Sequence, residues 1–211
     1  MKNPWEEISL DDYENHMGLD SVKQLQALNA VMKEQFEAYP VHTAMVLGVA
    51  GGNGVEHARP EKYRAVCCVD INEEYLQAVK ERYARQPAVQ CLRADLAEEA
   101  DRLPAAELVI ANLLIEYIGY PAFTKVIAKV GPEYVSCVIQ INRDEKNWVS
   151  DSPWLHAFDG LDRVHHQMEE GALTAAMKEA GYDGILRTEE ALPNGKALVR
   201  LDYRKTGRRE W

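Results

Sequence analysis

At 211 residues the chain is long enough for one domain that buries a substantial core. Its formal net charge of −10 opposes nucleic-acid phosphates unless a local basic stripe offsets it, and the one candidate, Arg204-Lys205-Thr206-Gly207-Arg208-Arg209, lacks interleaved aromatics. The first residues lack the apolar core of a signal peptide and no later apolar run reaches the length of a membrane span, so the expectation is a soluble cytoplasmic protein that binds neither nucleic acid nor membrane.

Residues 1–40 carry three bases against eight acids, with Trp5, Tyr13, His16 and Met17 among them. Asp20 and Ser21 offer a cap for a helix through Val22, Leu25, Leu28, Val31, Met32 and Phe36, spaced three or four apart. Two readings are open for this segment. It is a solvated face, or it is a helical lid whose acids favour a cationic or neutral substrate and whose aromatics cover a site.

Ala44-Met45-Val46-Leu47 then runs into Gly48-Val49-Ala50-Gly51-Gly52-Asn53-Gly54. An apolar run that dissolves into small residues reads as a buried parallel strand ending in a tight turn, where main-chain N–H groups lie open to a ligand. Val55-Glu56-His57-Ala58 makes a short helix, cut by Pro60. A second apolar strand, Arg64-Ala65-Val66-Cys67-Cys68-Val69, ends at Asp70, 22 positions after Gly48. That spacing suits an acid that accepts hydrogen bonds from the hydroxyls of a ribose, although Asp70 could instead merely cap the helix that runs from about Glu73 to Arg85.

Val89-Gln90-Cys91-Leu92-Arg93-Ala94-Asp95 is a third strand ending in an acid, and Ala106-Glu107-Leu108-Val109-Ile110-Ala111-Asn112 is a fourth. Phe123 to Val130 is helical, Gly131-Pro132 stops it, and Tyr134 to Ile141 is a fifth strand. A long connection from Asn142 to about His166 holds Trp148, Trp154, Phe158 and three histidines. His156, Asp159, Asp162, His165 and His166 match no metal-ligand spacing, so no metal is expected; a histidine lining a substrate pocket fits better. The helix Glu169 to Ala180 ends at Gly181, and Asn194-Gly195 joins Ile185-Leu186-Arg187-Thr188 to Ala197-Leu198-Val199-Arg200-Leu201-Asp202-Tyr203 as a hairpin. Cys67, Cys68, Cys91 and Cys137 lie in apolar runs and read as buried free thiols. The predicted architecture is α/β: a doubly wound, mainly parallel seven-stranded sheet ending in an antiparallel hairpin, residues 1–211 forming one domain with a lid over 1–40 and a core over 42–204.

From residue 42 to 204 this pattern resembles the class I S-adenosylmethionine-dependent methyltransferases. The resemblance implies that Gly48, Val49, Ala50, Gly51, Gly52 and Gly54 form the glycine-rich loop for the methionine portion of S-adenosyl-L-methionine. It further implies that Asp70 with Ile71 takes the ribose, Asp95 with Leu96 the adenine, and that Asn112 faces the cofactor. Gly48 stands where many members have an acid, and Ala50 where many have glycine. The activity implied is methyl transfer to a small molecule, the oligomeric state being open. Glu116 and Tyr117, just past the fourth strand, and His16 from the lid are the candidates for a catalytic base. The amino-methylating DNA enzymes carry an Asp/Asn-Pro-Pro-aromatic signature where this chain has Asn112-Leu113-Leu114-Ile115. A nicotinamide-dependent oxidoreductase is the enzymatic alternative, since Gly48 to Asp70 would serve a dinucleotide too, but no tyrosine has a lysine four positions on. A binding protein that keeps the cofactor site without catalysis is the other.

Overall fold

The computed structural model describes residues 2–142 and 148–207, so Arg208 and Arg209 of the basic stripe lie outside the described residues. Seven strands form one sheet: β1 Thr43–Leu47, β2 Ala65–Asp70, β3 Val89–Arg93, β4 Leu108–Asn112, β5 Tyr134–Ile141, β6 Tyr182–Ala191 and β7 Ala197–Lys205. Their order across the sheet is β3-β2-β1-β4-β5-β7-β6. β1 to β5 pair in parallel, β7 runs antiparallel to both β5 and β6, and so six strands point one way. The hairpin is longer than its apolar stretches suggested, because β6 is an exposed edge that needs no apolar pattern to pair.

The helices are α1 Leu10–Gly18, α2 Gln24–Ala38, α3 Glu73–Arg82, α4 Ile115–Val130 and α5 Glu170–Glu179. Alternation along β1 shows how they divide. Met45 and Leu47 face a core with Ile115, Phe123 and Ile127 of α4 and Leu173 and Met177 of α5. Ala44 and Val46 face the opposite core, with Met32 and Phe36 of α2 and Leu76 and Val79 of α3. The sheet is therefore covered on both faces, as continuous apolar strands require.

Local chemistry explains most of the element ends. Asn72, whose side-chain oxygen accepts from Glu74 N–H at 2.9 Å, is the N-cap of α3, so Asp70 is not that cap. α4 is broken at Gly119, whose φ of 73° and ψ of 164° no helix accommodates, and it ends on Gly131 at φ 66°. Asp20 and Ser21 do not cap α2: the chain enters it through Lys23 at φ 55°, with Val22 fully buried just before. Burying Val22 sets that entry and outweighs the capping preference. The acid- and aromatic-rich stretch at 10–18 forms α1, capped by Ser9 Oγ on Asp12 N–H. Of the cysteines, Cys68 and Cys137 are buried, while Cys67 and Cys91 are half-buried; all are free.

Candidate active site

The order places β1 and β4 side by side, with connections leaving in opposite directions to β2 and β5. Ligands of open α/β sheets bind at such a switch point, outside the carboxyl ends of the strands. A hollow of about 1120 Å³, mouth included, lies there. It runs from Asp95 beyond β3, past Asp70 of β2 and Gly48 and Ala50 after β1, to Glu116 after β4, Gln140 of β5 and Lys196 before β7.

Asp70 is 7 % exposed, and its two oxygens accept separate main-chain hydrogen bonds, Oδ2 from Ala50 N–H and Oδ1 from Asn72 N–H, each at 2.9 Å. The carboxylate thus bonds the glycine turn to the end of β2. Burial pushes it up to about 6 against the pull of these amides. Asp95 Oδ1 accepts from Ala97 N–H at 3.0 Å in a tight side-chain turn. Ile71 and Leu96 line the hollow beside the two acids.

The glycine turn divides its tasks. Gly48 and Ala50 line the hollow, whereas Val49 packs into the core against α2 and α3. Gly51, Gly52 and Gly54 are not among the lining residues. A Cβ on Gly52 would come within 2.8 Å of the Tyr83 ring, and one on Gly54 within 2.7 Å of Met32, so these two let α3 and α2 close on the turn. The Gly51 and Gly52 carbonyls accept from Arg82 Nη1 and Tyr83 Oη at 2.7 Å. Asn112 lines the hollow, yet its amide is held in a reciprocal pair with Gln35 at 2.9 Å in both directions.

Backbone strain collects at the same place. Besides Lys23, the non-glycine residues at positive φ among those described are Ala50, at 47°, and Leu113, at 53°, and both line the hollow. Unsatisfied polar atoms do likewise. Of the three buried side-chain atoms lacking a hydrogen-bond partner among the described residues, Glu116 Oε2 and Tyr75 Oη belong to lining residues. Glu116 is 4 % exposed, and burial pushes its carboxyl up to about 7.

Aromatic side chains wall the part beyond Glu116. Trp5 meets the Tyr117 ring edge-on at 4.8 Å, Trp148 stacks on His165 at 3.8 Å, and Tyr13 and Phe158 join them. His16 donates or accepts at Nδ1 with Ser152 Oγ at 2.7 Å, and burial lowers its pKa, which keeps the ring neutral at neutral pH. Burial likewise keeps the Tyr117 hydroxyl protonated. From residues 1–40 the wall takes Asn3, Trp5, Tyr13, His16, Met17 and Gln24, none of them acidic. Of the two readings of this segment, the acids fit the solvated face and the aromatics the cover over a site: Glu6 pairs with Arg93 at 3.4 Å, and Glu14 is bound by Arg82 against the outside of the glycine turn.

Gln24, Tyr75, Gln140, Trp148 and Lys196 were not anticipated from the sequence. Gln140, a polar residue inside the apolar run Val138 to Ile141, carried a signal. Lys196 carried none, since a lysine after Asn-Gly is an ordinary turn residue. Among the five residues set aside as a metal set, His156 pairs with Asp159 on the surface at 3.2 Å, while His165 lines the hollow.

No protein-family model matches the chain, and no curated protein matches it in sequence. Solved structures do. It is similar to the magnesium protoporphyrin IX methyltransferase ChlM from Synechocystis PCC 6803 with bound SAM, at 11% identity over 93% of this chain and 90% of that one, TM-score 0.67. It is similar to the N-methyltransferase NodS from Bradyrhizobium japonicum WM9 in complex with S-adenosyl-L-homocysteine, at 12% identity over 94% and 98%, TM-score 0.65. The (4+2)-cyclase SpnF matches at 10% identity over 85% and 81%, TM-score 0.64. The fold is that of the class I S-adenosylmethionine-dependent methyltransferases. A cyclase among the neighbours shows that the fold by itself leaves the reaction open.

Proposed function

We propose that this chain binds S-adenosyl-L-methionine and transfers its methyl group to a small-molecule acceptor. The observation that carries the reading is the Asp70 carboxylate: buried on the hollow and held by the main-chain amides of Ala50, Asn72 and Ile71, it keeps acceptor capacity for a further donor. Two vicinal hydroxyls of a ribose supply such donors. Asp95 and Leu96 take the adenine side, and Gly48 and Ala50 let the methionine portion approach the main chain. Neighbours solved with SAM or its demethylated product support the same ligand.

The sulfonium supplies an already activated methyl group and leaves as a neutral thioether. The chain's own residues have a smaller task, to hold the acceptor in line and keep water out, a geometric effect worth up to about 7–11 kcal/mol. Where the acceptor atom carries a proton, Glu116 receives it at Oε2; a carboxyl near 7 is matched to that role at neutral pH. Tyr117, held protonated against Trp5, and His16, bound to Ser152, act as wall and donor rather than base. Residues 1–40 form the lid.

Calorimetry tests the reading. The protein should bind S-adenosyl-L-methionine and its demethylated product and not NADH. Asp70→Ala should weaken both by at least about 100-fold, roughly 3 kcal/mol, with an unchanged circular dichroism spectrum. A change within twofold removes the ribose assignment. NADH binding in place of the sulfonium returns the chain to the dehydrogenases, and binding with no product from any acceptor of a metabolite panel makes it a sensor.

A further inference from the structure

The end of the hollow farthest from Asp95 holds a charge that the proposed methyl transfer does not use. Lys196 is 7 % exposed and lies just before β7, whose first residue pairs with Ile141 at the carboxyl end of β5. Its ammonium donates to the Trp148 carbonyl and to Ser150 Oγ, both neutral, and its third N–H is left over. Its field reaches both His16 and His165 and disfavours a proton on either ring. Burial drives Lys196 itself down to about 8, and among the described residues no carboxylate pairs with it.

Position separates this corner from the cofactor's end. β2, which ends in Asp70, and β7 are four strand spacings apart in the sheet order, roughly 19 Å at about 4.8 Å each. The same hollow is lined by Glu116 and by the rings of Trp5, Tyr13, Tyr117, Trp148 and Phe158, Trp5 bonding through its carbonyl to Asn72 at the β2 end and Trp148 to Lys196 at the other. Flat aromatic faces favour a flat, apolar body, and an ammonium with only neutral partners among the described residues favours an anion at its far edge.

Resting on the methyltransferase reading, we propose that the acceptor is a small aromatic carboxylic acid whose carboxylate is received by Lys196 and whose ring lies between the aromatic walls, with its methyl-accepting atom toward Glu116. The lid admits such an anion because none of its acids lines the hollow, Glu6 and Glu14 being paired with Arg93 and Arg82.

The test measures binding to the protein saturated with S-adenosyl-L-homocysteine, using 4-hydroxybenzoate, 2-aminobenzoate and indole-3-acetate, each against its neutral amide. At least one acid should bind ten times more tightly than its amide. In Lys196→Gln that preference should fall below threefold while S-adenosyl-L-homocysteine affinity stays within threefold. Lys196→Arg, which keeps the charge, should retain a preference of threefold or more. The proposal is overturned if no acid outbinds its amide tenfold, or if the preference survives Lys196→Gln or is lost in Lys196→Arg. It is equally overturned if Lys196→Gln weakens the homocysteine ligand beyond threefold, which would assign the lysine to the cofactor. Failure of the wild-type protein to bind S-adenosyl-L-homocysteine at all would instead remove the methyltransferase reading beneath it.

Discussion

Beneath α2, Gln35, Asn112, Ser136, Asp202, Arg200 and Tyr39 bond to one another in a closed network that Glu34 joins at Arg200, whereas at the strand ends, among the described residues, Glu116 keeps an oxygen with no partner and Lys196 an ammonium with only neutral ones. Both groups are buried in the same fold. In the first, the Asp202 carboxylate takes Ser136, Tyr39 and a two-pronged Arg200, so the cost of burying charge is met inside the protein. In the second that cost is left standing, and strained backbone at Ala50 and Leu113 stands beside it. A polar cluster that satisfies itself fastens α2 to β4, β5 and β7. One that does not is waiting for donors and acceptors from outside.

The largest effect should come from breaking the closed network. Asp202→Ala removes the shared acceptor of Ser136, Tyr39 and Arg200, leaving the buried guanidinium only its 3.1 Å pair with the exposed Glu34, and should cost about 3–5 kcal/mol of stability in urea unfolding. A loss under 1 kcal/mol would mean that the network is no more structural than the hollow. Glu116→Gln should behave in the opposite sense. Because the folded carboxyl titrates at about 7 and the unfolded one at about 4.5, the wild type keeps the full contribution of this group below 4.5 and loses it as pH rises through 7. The glutamine variant should match the wild type at low pH and exceed it above 7 by roughly 3 kcal/mol, while methyl transfer to any proton-bearing acceptor falls about 100-fold. Equal slopes of stability against pH in the two proteins would sink that assignment. Smallest of all is Arg187→Ala, in the exposed pairs with Glu170 and Glu189, where no shift in melting temperature should be resolved.

These two regions were unequally legible in the amino-acid order. Strands that end in Asp70 and Asn112 announce themselves because buried parallel strands are continuously apolar and a polar residue marks where they meet the ligand edge, and Asp95 follows two positions after β3. The Asn194-Gly195 hairpin is legible for a local reason too, the positive φ of Gly195. The closed network was not, since Gln35, Ser136 and Asp202 look like ordinary helix and strand residues until packing brings together positions more than a hundred apart in the chain. Gly52 and Gly54 were read as ligand-facing when their smallness serves Tyr83 and Met32, a distinction that only helix packing makes. Lys196 and Gln24 reach the hollow through contacts across the whole chain and left no local trace.

Asn72 bears on how the N-terminal segment can be dissected. Its oxygen caps α3, and its side-chain nitrogen clasps the carbonyls of Trp5 at 2.9 Å and Ile8 at 3.3 Å, two positions beyond the carboxylate that ends β2. A truncation through Ile8 would strip both acceptors from a buried amide while also unroofing the cavity, and any fall in affinity would mix the two injuries. Alanine at Trp5 and Tyr13 leaves the main chain threaded through that clasp and removes only the roof.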